Sequence, residues 1–214
     1  MLRKLAVLAF AVILLLPAPL IAQDAPPVPR ENGALLYSAP FNDSSGLDAV
    51  FGEEWMTYQA SGGVATIASS APGVVLAAMI SGKSFGDFIA EVDLLPNPAP
   101  ASTQYGVLFR ADGPPDIDAT TYNLIVNPGK SQLAMTKLLA GGRDEDIVDL
   151  GGTNLSSLNF DPARPNRLRL EAVGSVFRVF MNGGFAFEAT DSLLGAGGFG
   201  LTIGSPEDLA QGAK

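Results

Sequence analysis

Glu91 and Asp93 are the two side chains whose type and spacing first suggest chemistry. They lie two residues apart in the extended run from Phe88 to Leu95. On a strand that spacing puts both carboxylates on one face, about 7 Å apart along the backbone. Carboxyl groups about 5 to 9 Å apart are what glycoside hydrolysis uses, one as acid and the other as nucleophile or base. The same pair is equally compatible with the solvated outer face of a sheet. Arg110 and Asn123 join them if the strands carrying Phe88, Tyr105 and Tyr122 are neighbours. In that case Glu91, Asp93, Arg110 and Asn123 point away from a core taken up by Phe88, Val92, Val107, Phe109, Tyr122 and Leu124. Carboxylate, guanidinium and amide groups on one surface offer the donors and acceptors that a hydroxyl-rich ligand needs. A plain surface ion pair of arginine and carboxylate, worth little, is the competing reading. Trp55, the only tryptophan, could stack on a sugar ring, although burial in a core is the commoner use of such a ring.

Two acidic stretches raise the question of a cation. Asp112, Asp116 and Asp118 fall in one segment, and Asp144, Glu145 and Asp146 in what reads as another loop. Calcium takes six to eight oxygen ligands, more than either stretch clearly offers. No metal site is therefore assigned, and calcium is kept only as a minor alternative with no other cofactor expected.

The elements that position these residues read as strands. Phe88, Ala90, Val92 and Leu94 alternate with Ile89, Glu91, Asp93 and Leu95, a period of two with one buried face. Pro96, Pro98 and Pro100 lack the amide hydrogen for a ladder, so regular structure stops until Tyr105. Tyr105, Val107 and Phe109 then alternate with Gly106, Leu108 and Arg110. Further strands are expected at 35–41, 55–59, 64–68, 74–80, 122–126, 132–139, 147–150 and 155–160. The stretch 42–52 reads as a loop with room for one helical turn at 47–51. Late in the chain, Leu168, Leu170 and Ala172 face one way and Arg167, Arg169 and Glu171 the other. Gly174-Ser175 turns the chain into Val176–Met181. Asn182-Gly183 favours a tight hairpin turn, since both residues accept positive φ, and Phe185–Ala189 pairs back. Gly197–Ile203 closes the pattern. A dozen or so short strands with turns between them predict an all-β, two-sheet antiparallel sandwich of the jelly-roll type. Its core is expected to hold Phe88, Val92, Val107, Phe109, Tyr122, Leu124, Leu168, Leu170 and Phe177.

Composition narrows the function further. The chain has 214 residues, a net charge of -9, no cysteine and no histidine. Serine-histidine triads, histidine-ligated zinc, thiolate metal sites and cysteine nucleophiles are all excluded. Arg3 and Lys4 precede the apolar run Leu5–Leu16, which Pro17 and Pro19 break before small residues at Ala22 and Ala25. This is the layout of a secretory signal peptide, and the run is shorter than the ~20 residues of a spanning helix. The expected organisation is signal peptide 1–22, a proline-rich linker 23–33, a domain 34–203 and a polar tail 204–214. Cutting after Ala22 removes two positive charges, Arg3 and Lys4, and leaves -11. So acidic a product is repelled by nucleic acid and by anionic lipid, and no membrane contact is expected after processing. The expected compartment is the periplasm or the medium. An exported chain with no disulfide needs a full-sized core.

Phe41-Asn42-Asp43, Trp55, Asp87-Phe88, Tyr105-Gly106-Val107-Leu108-Phe109-Arg110, Tyr122, Asn166-Arg167-Leu168-Arg169 and Met181-Asn182-Gly183 follow one another in a familiar order. In that order the chain resembles the concanavalin A-like lectin/glucanase jelly roll, in the laminin-G-like form of bacterial exported proteins. It is similar there to domains related to the 3-keto-disaccharide hydrolase family. The resemblance spans about 36–201 and implies a sandwich whose curved face binds sugars. Retaining enzymes of this fold carry Glu-x-Asp-x-x-Glu, whereas Glu91-x-Asp93 is followed by Pro96, so no catalytic residue is assigned. Relatives also end in a strand that returns beside the first; GSPEDLAQGAK at 204–214 has no alternation, so that strand is expected to be either missing or much altered. The reading adopted is a secreted, non-catalytic module that recognises a glycan through Glu91, Asp93, Arg110 and Asn123. A saccharide-acting enzyme using Glu91 and Asp93 and a structural or protein-adhesion domain are the alternatives.

Overall fold

The computed structural model describes residues 6–9, 34–39, 41–43, 47–51, 56–69, 75–95, 104–113, 119–127, 132–141, 143–149 and 164–204. Every regular element among them is a strand. In chain order these are β1 (Ala6–Ala9), β2 (Ala34–Tyr37), β3 (Leu47–Phe51), β4 (Met56–Ser61), β5 (Val64–Ser69), β6 (Val75–Ile80), β7 (Phe88–Leu94) and β8 (Gln104–Ala111). They continue as β9 (Thr121–Asn127), β10 (Gln132–Leu139), β11 (Arg143–Asp149), β12 (Asn166–Val173), β13 (Val176–Met181), β14 (Gly184–Thr190) and β15 (Gly198–Gly204). A six-stranded sheet has the order β14-β13-β12-β7-β1-β2, and a seven-stranded sheet the order β11-β10-β9-β8-β15-β6-β3. The hairpin β4-β5 forms a small sheet of its own. The pairings are antiparallel except those of β1, which lies parallel to both β7 and β2.

The two sheets face each other across a core built from the inward half of each period-two pattern. Phe88, Val92, Val107, Phe109, Tyr122, Leu124, Leu168, Leu170 and Phe177 are all buried, as their alternation predicts. Phe88 meets Phe109 and Phe199 edge to face at 6.2 and 5.7 Å, and Phe177 packs on Phe109 and Tyr122 at 5.4 and 5.0 Å. Aromatic pairs in these geometries contribute about 0.5–1.5 kcal/mol beyond area burial. The Asn182-Gly183 turn has φ of 52° and 85°, so the hairpin β13-β14 closes as the sequence predicts.

Three expectations need correction. Residues 47–51 are the edge strand β3, not a helical turn, because they pair with β6 and gain ladder bonds that one isolated turn would lack. Arg143–Asp146 belongs to β11 instead of a loop, paired along β10. The first strand of the domain stops at Tyr37 instead of reaching Phe41, which has a left-handed φ of 49°. Trp55, the strand expected at 155–160 and the tail 205–214 lie outside the described residues.

Candidate functional site

The outward half of β7 and β12 meets in register. Glu91 lies opposite Arg169, and Asp93 opposite Arg167. Directly opposed residues of unlike charge attract across a strand pair, and here they form bonds. Arg167 donates through Nε and Nη2 to the two oxygens of Asp93, both at 2.7 Å, in a fork that matches the carboxylate. Arg169 donates through Nη1 to Glu91 at 2.7 Å, and through Nε and Nη2 to Oε1 of Glu171 at 2.9 and 2.7 Å. Burial alone would pull the Arg169 guanidinium down, but its bonds to Glu171 and Glu91 outweigh that and hold it above its usual value. The bonds to Asp93 raise Arg167 in the same way.

The register then carries this face outward to the sheet edge. Arg169 lies opposite Phe180 on β13, and Phe180 opposite Phe185 on β14. Glu91, Arg169, Phe180 and Phe185 therefore form one row across four strands. Strands about 4.8 Å apart give the row a length of about 14 Å. Phe180 and Phe185 meet edge to face at 5.6 Å, with Phe180 nearly buried and Phe185 37 % exposed. A parallel row carries Ile89, Glu171, Arg178 and Glu188, the last two bonded at 2.7 Å.

Arg110 does not join this face. It sits on β8 in the other sheet and is 1 % exposed, whereas period-two parity places it outward. A bulge resolves the difference: Phe199 pairs with Phe109 and Gly198 with Ala111, so Arg110 is the extra residue, with a φ of 53°. A bulge leaves one residue unpaired and re-aims its side chain. Gly197 makes room for it, since a Cβ there would run into the Arg110 and Ala111 backbone. The guanidinium donates to the carbonyls of Gly174 at 2.7 Å, Leu194 at 2.9 Å and Gly86 at 3.1 Å, and lies 5.2 Å from the Phe177 ring centre. Burial lowers its pKa, and Asp87, 3.6 Å away, works against that. Arg110 therefore ties together three turns at one end of the sandwich and is not an exposed ligand contact.

Neighbouring Tyr122 holds the same end. Its hydroxyl donates to Asp191 at 2.6 Å, accepts from the Leu194 amide at 3.1 Å, and is pushed up to about 12, first by burial and then by the Asp191 bond. Lys137 donates to the second Asp191 oxygen at 3.0 Å.

Asn123 lies on β9, between Leu108 and Thr136, on the outer side of the seven-stranded sheet. Glu91 and Asp93 face outward from the six-stranded sheet. Outward faces of opposed sheets point in opposite directions, so the four residues expected together do not share one surface. The physical reason is topological: β8 and β9 are neighbours, but β7 pairs with β12 instead. Asp112 accepts from the Thr120 amide at 2.8 Å, while Asp116 and Asp118 lie outside the described residues. Glu145 and Asp146 are adjacent on a strand, which turns them to opposite faces. No cluster of three metal-binding side chains occurs among the described residues.

Sequence reasoning passed over Arg167, Arg169, Glu171, Phe180 and Phe185 as site residues. The outward parity of the first three was legible. Their partners were not, because β7 and β12 are joined only by long-range pairing.

No protein-family model matches the chain, and no curated protein matches it. Solved structures do. The carbohydrate-binding module CBM66 of Bacillus subtilis superposes with a TM-score of 0.61 at 19 % identity, over 75 % of this chain and 88 % of that one. A protein of unknown function with a galectin-like fold, also from Bacillus subtilis, gives 0.63 at 15 % identity, over 82 % and 92 %. A β-1,3-1,4-glucanase (lichenase) from a mouse hindgut metagenome gives 0.52 at 14 % identity, over 79 % and 86 %. Likenesses at this identity establish architecture. The two facing sheets, their strand order and these superpositions together make the chain a concanavalin A-like jelly roll.

Proposed function

We propose that the domain is an exported, non-catalytic glycan-binding module, and that the ligand lies on the outer face of the six-stranded sheet. The row Glu91–Arg169–Phe180–Phe185 carries this reading. It sets an aromatic edge beside a guanidinium and a carboxylate, the mix of apolar surface and directed polar groups that a sugar ring presents in return. Arg169 is held by two carboxylates, and its remaining N–H groups are fixed in direction. That preorganisation lowers the ordering cost of each bond to a hydroxyl. Architecture shared with proteins described as a carbohydrate-binding module and a glucanase supports a glycan as the ligand class.

The non-catalytic part of the proposal rests on how the carboxylates are engaged. Asp93 gives both oxygens to Arg167 and is almost fully covered. Acid and nucleophile roles need two carboxyls free to reach a glycosidic oxygen and the carbon beside it. Export is supported by Arg3, Lys4 and the apolar run that follows. N-terminal sequencing of exported protein is expected to begin at Gln23, and an intact Met1 on a membrane-bound product would overturn it.

The binding proposal is tested on a glycan array with the purified protein and two variants, Glu91→Ala and Phe185→Ala. Both positions are over a third exposed, and neither change leaves a buried charge alone. Loss of one contact of about 0.5–1.5 kcal/mol weakens binding by roughly 2- to 12-fold without altering the melting temperature by more than a few degrees. Binding that is indifferent to both substitutions would move the site elsewhere.

A further inference from the structure

The outer face of the six-stranded sheet has a hollow beside the polar row, and it arises from the way two side chains lean. Glu171 and Arg178 are directly opposed on β12 and β13. They do not bond to each other. Glu171 turns along its own strand to Arg169, while Arg178 turns across to Glu188 at 2.7 Å. The next pair towards the hairpin turn is Val173 and Val176, both short. These four residues line a hollow of about 160 Å³. The turn at its end is held from two sides, since Gly174 donates its amide to Asp87 at 2.8 Å and accepts from Arg110 at 2.7 Å.

The chemistry of the lining is specific. Oε1 of Glu171 takes both bonds from Arg169. Its Oε2 takes none among the described residues, and although Glu171 is only 3 % exposed, it lines the hollow. Arg178 uses Nε for Glu188 and keeps its terminal N–H groups as donors. Val173 and Val176 supply methyl surface. One acceptor, one donor and an apolar wall within a few ångströms match one common sugar substituent, the acetamido group, which brings one N–H, one carbonyl and one methyl.

We propose that this hollow is a subsite for the acetamido group of an N-acetylated hexosamine, so that the platform prefers amino-sugar glycans to their plain hydroxyl counterparts. The inference rests on the glycan-binding reading of the same face. A hydroxyl at the same position could satisfy either polar partner, but it would leave the other partner unmatched and the valine methyls uncovered.

The test compares matched glycans that differ only in 2-acetamido against 2-hydroxyl, such as oligomers of N-acetylglucosamine and of glucose with the same linkage and length, and uses an array that holds further pairs of this kind. The expected result is that the acetamido member of a bound pair is retained about tenfold more tightly, the worth of one further hydrogen bond and of the methyl covered by the valines, together about 1.4 kcal/mol. Val176→Phe, which fills the hollow, is expected to abolish that preference by weakening the acetamido member more than the hydroxyl member. Arg178→Ala, which removes the donor from an exposed ion pair, should reduce the preference, so the test does not depend on a single variant. Equal retention of both members, or a preference that survives Val176→Phe and Arg178→Ala, overturns the subsite and leaves the platform standing. Binding to no glycan at all overturns the platform, and the subsite with it.

Discussion

Arg110 shows how much a single residue depends on its backbone. Its φ of 53° and the bulge around it convert an outward position into an interior one. The side chain then supplies hydrogen bonds to the carbonyls of Gly86, Gly174 and Leu194. Arg110→Ala is expected to cost about 3–5 kcal/mol in urea melts, the loss typical of removing one partner from a buried charged network. Arg110→Lys should not restore it, because an ammonium cannot reproduce the planar fork that reaches three carbonyls. Asp191 makes a second residue-scale prediction. Burial raises its pKa, but the Tyr122 hydroxyl, the Leu193 amide and Lys137 outweigh this and leave it below the ordinary 3.8. A carboxylate depressed on folding adds stability that is complete above its unfolded value and lost as pH falls through the folded one. Asp191→Asn should therefore flatten the loss of stability measured below pH 3.8, while a slope unchanged by the substitution would place the acid sensitivity elsewhere.

At the scale of elements, the sheets are specified by alternation on one side and by close approach on the other. Gly106 points away from the core on β8, and a Cβ there would run into the Leu124 backbone carbonyl on β9. Gly200 on β15 has the same relation to Ala78 on β6, with the carbonyl 2.5 Å from the position of a Cβ. These glycines let the central strands of the seven-stranded sheet come together, so Gly106→Ala is expected to force β8 and β9 apart. A cost of about 1–3 kcal/mol, the range for overpacking, should appear in the midpoint of chemical unfolding. Phe109→Ala attacks the opposite face of the same strand. It empties a site bounded by Phe88, Tyr122 and Phe177, and should cost about 3–5 kcal/mol. On the six-stranded sheet the ladder of Arg167, Arg169 and Arg178 against four carboxylates does a different job. Arg178 with Glu188 is exposed, and its loss should change stability by less than about 1 kcal/mol. Arg169 is half-buried against a covered Glu171, so its removal costs more, which is why Glu91 and Phe185 are the better probes of binding.

For the whole molecule, the position of β1 bears on the export proposal. Ala6–Ala9 fills the space between β7 and β2, inside the segment proposed as a signal. If the chain is cut after Ala22, that strand leaves, and the β7 amides that faced it should exchange hydrogen faster in the processed protein than in the full chain. Unchanged protection would mean that β2 or another segment has closed on β7. Far-UV circular dichroism of either form is expected to show strand and little helix. Much of this architecture was legible beforehand, because burial of one strand face writes a period of two into the sequence: Leu168, Leu170 and Ala172 against Arg167, Arg169 and Glu171 is a local signal, and so is the Asn182-Gly183 turn. Three things were not. The segment 47–51 becomes a strand only because β6 lies beside it, Arg110 turns inward only because Gly197 allows a bulge, and Glu91 meets Arg169 only because β7 and β12 pair across 78 positions of chain. The sequence by itself determined which apolar residues leave water, since hydrophobic burial acts on each such side chain where it stands. Only the tertiary structure decided which polar residues meet, because long-range strand order depends on how two whole sheets close over one core.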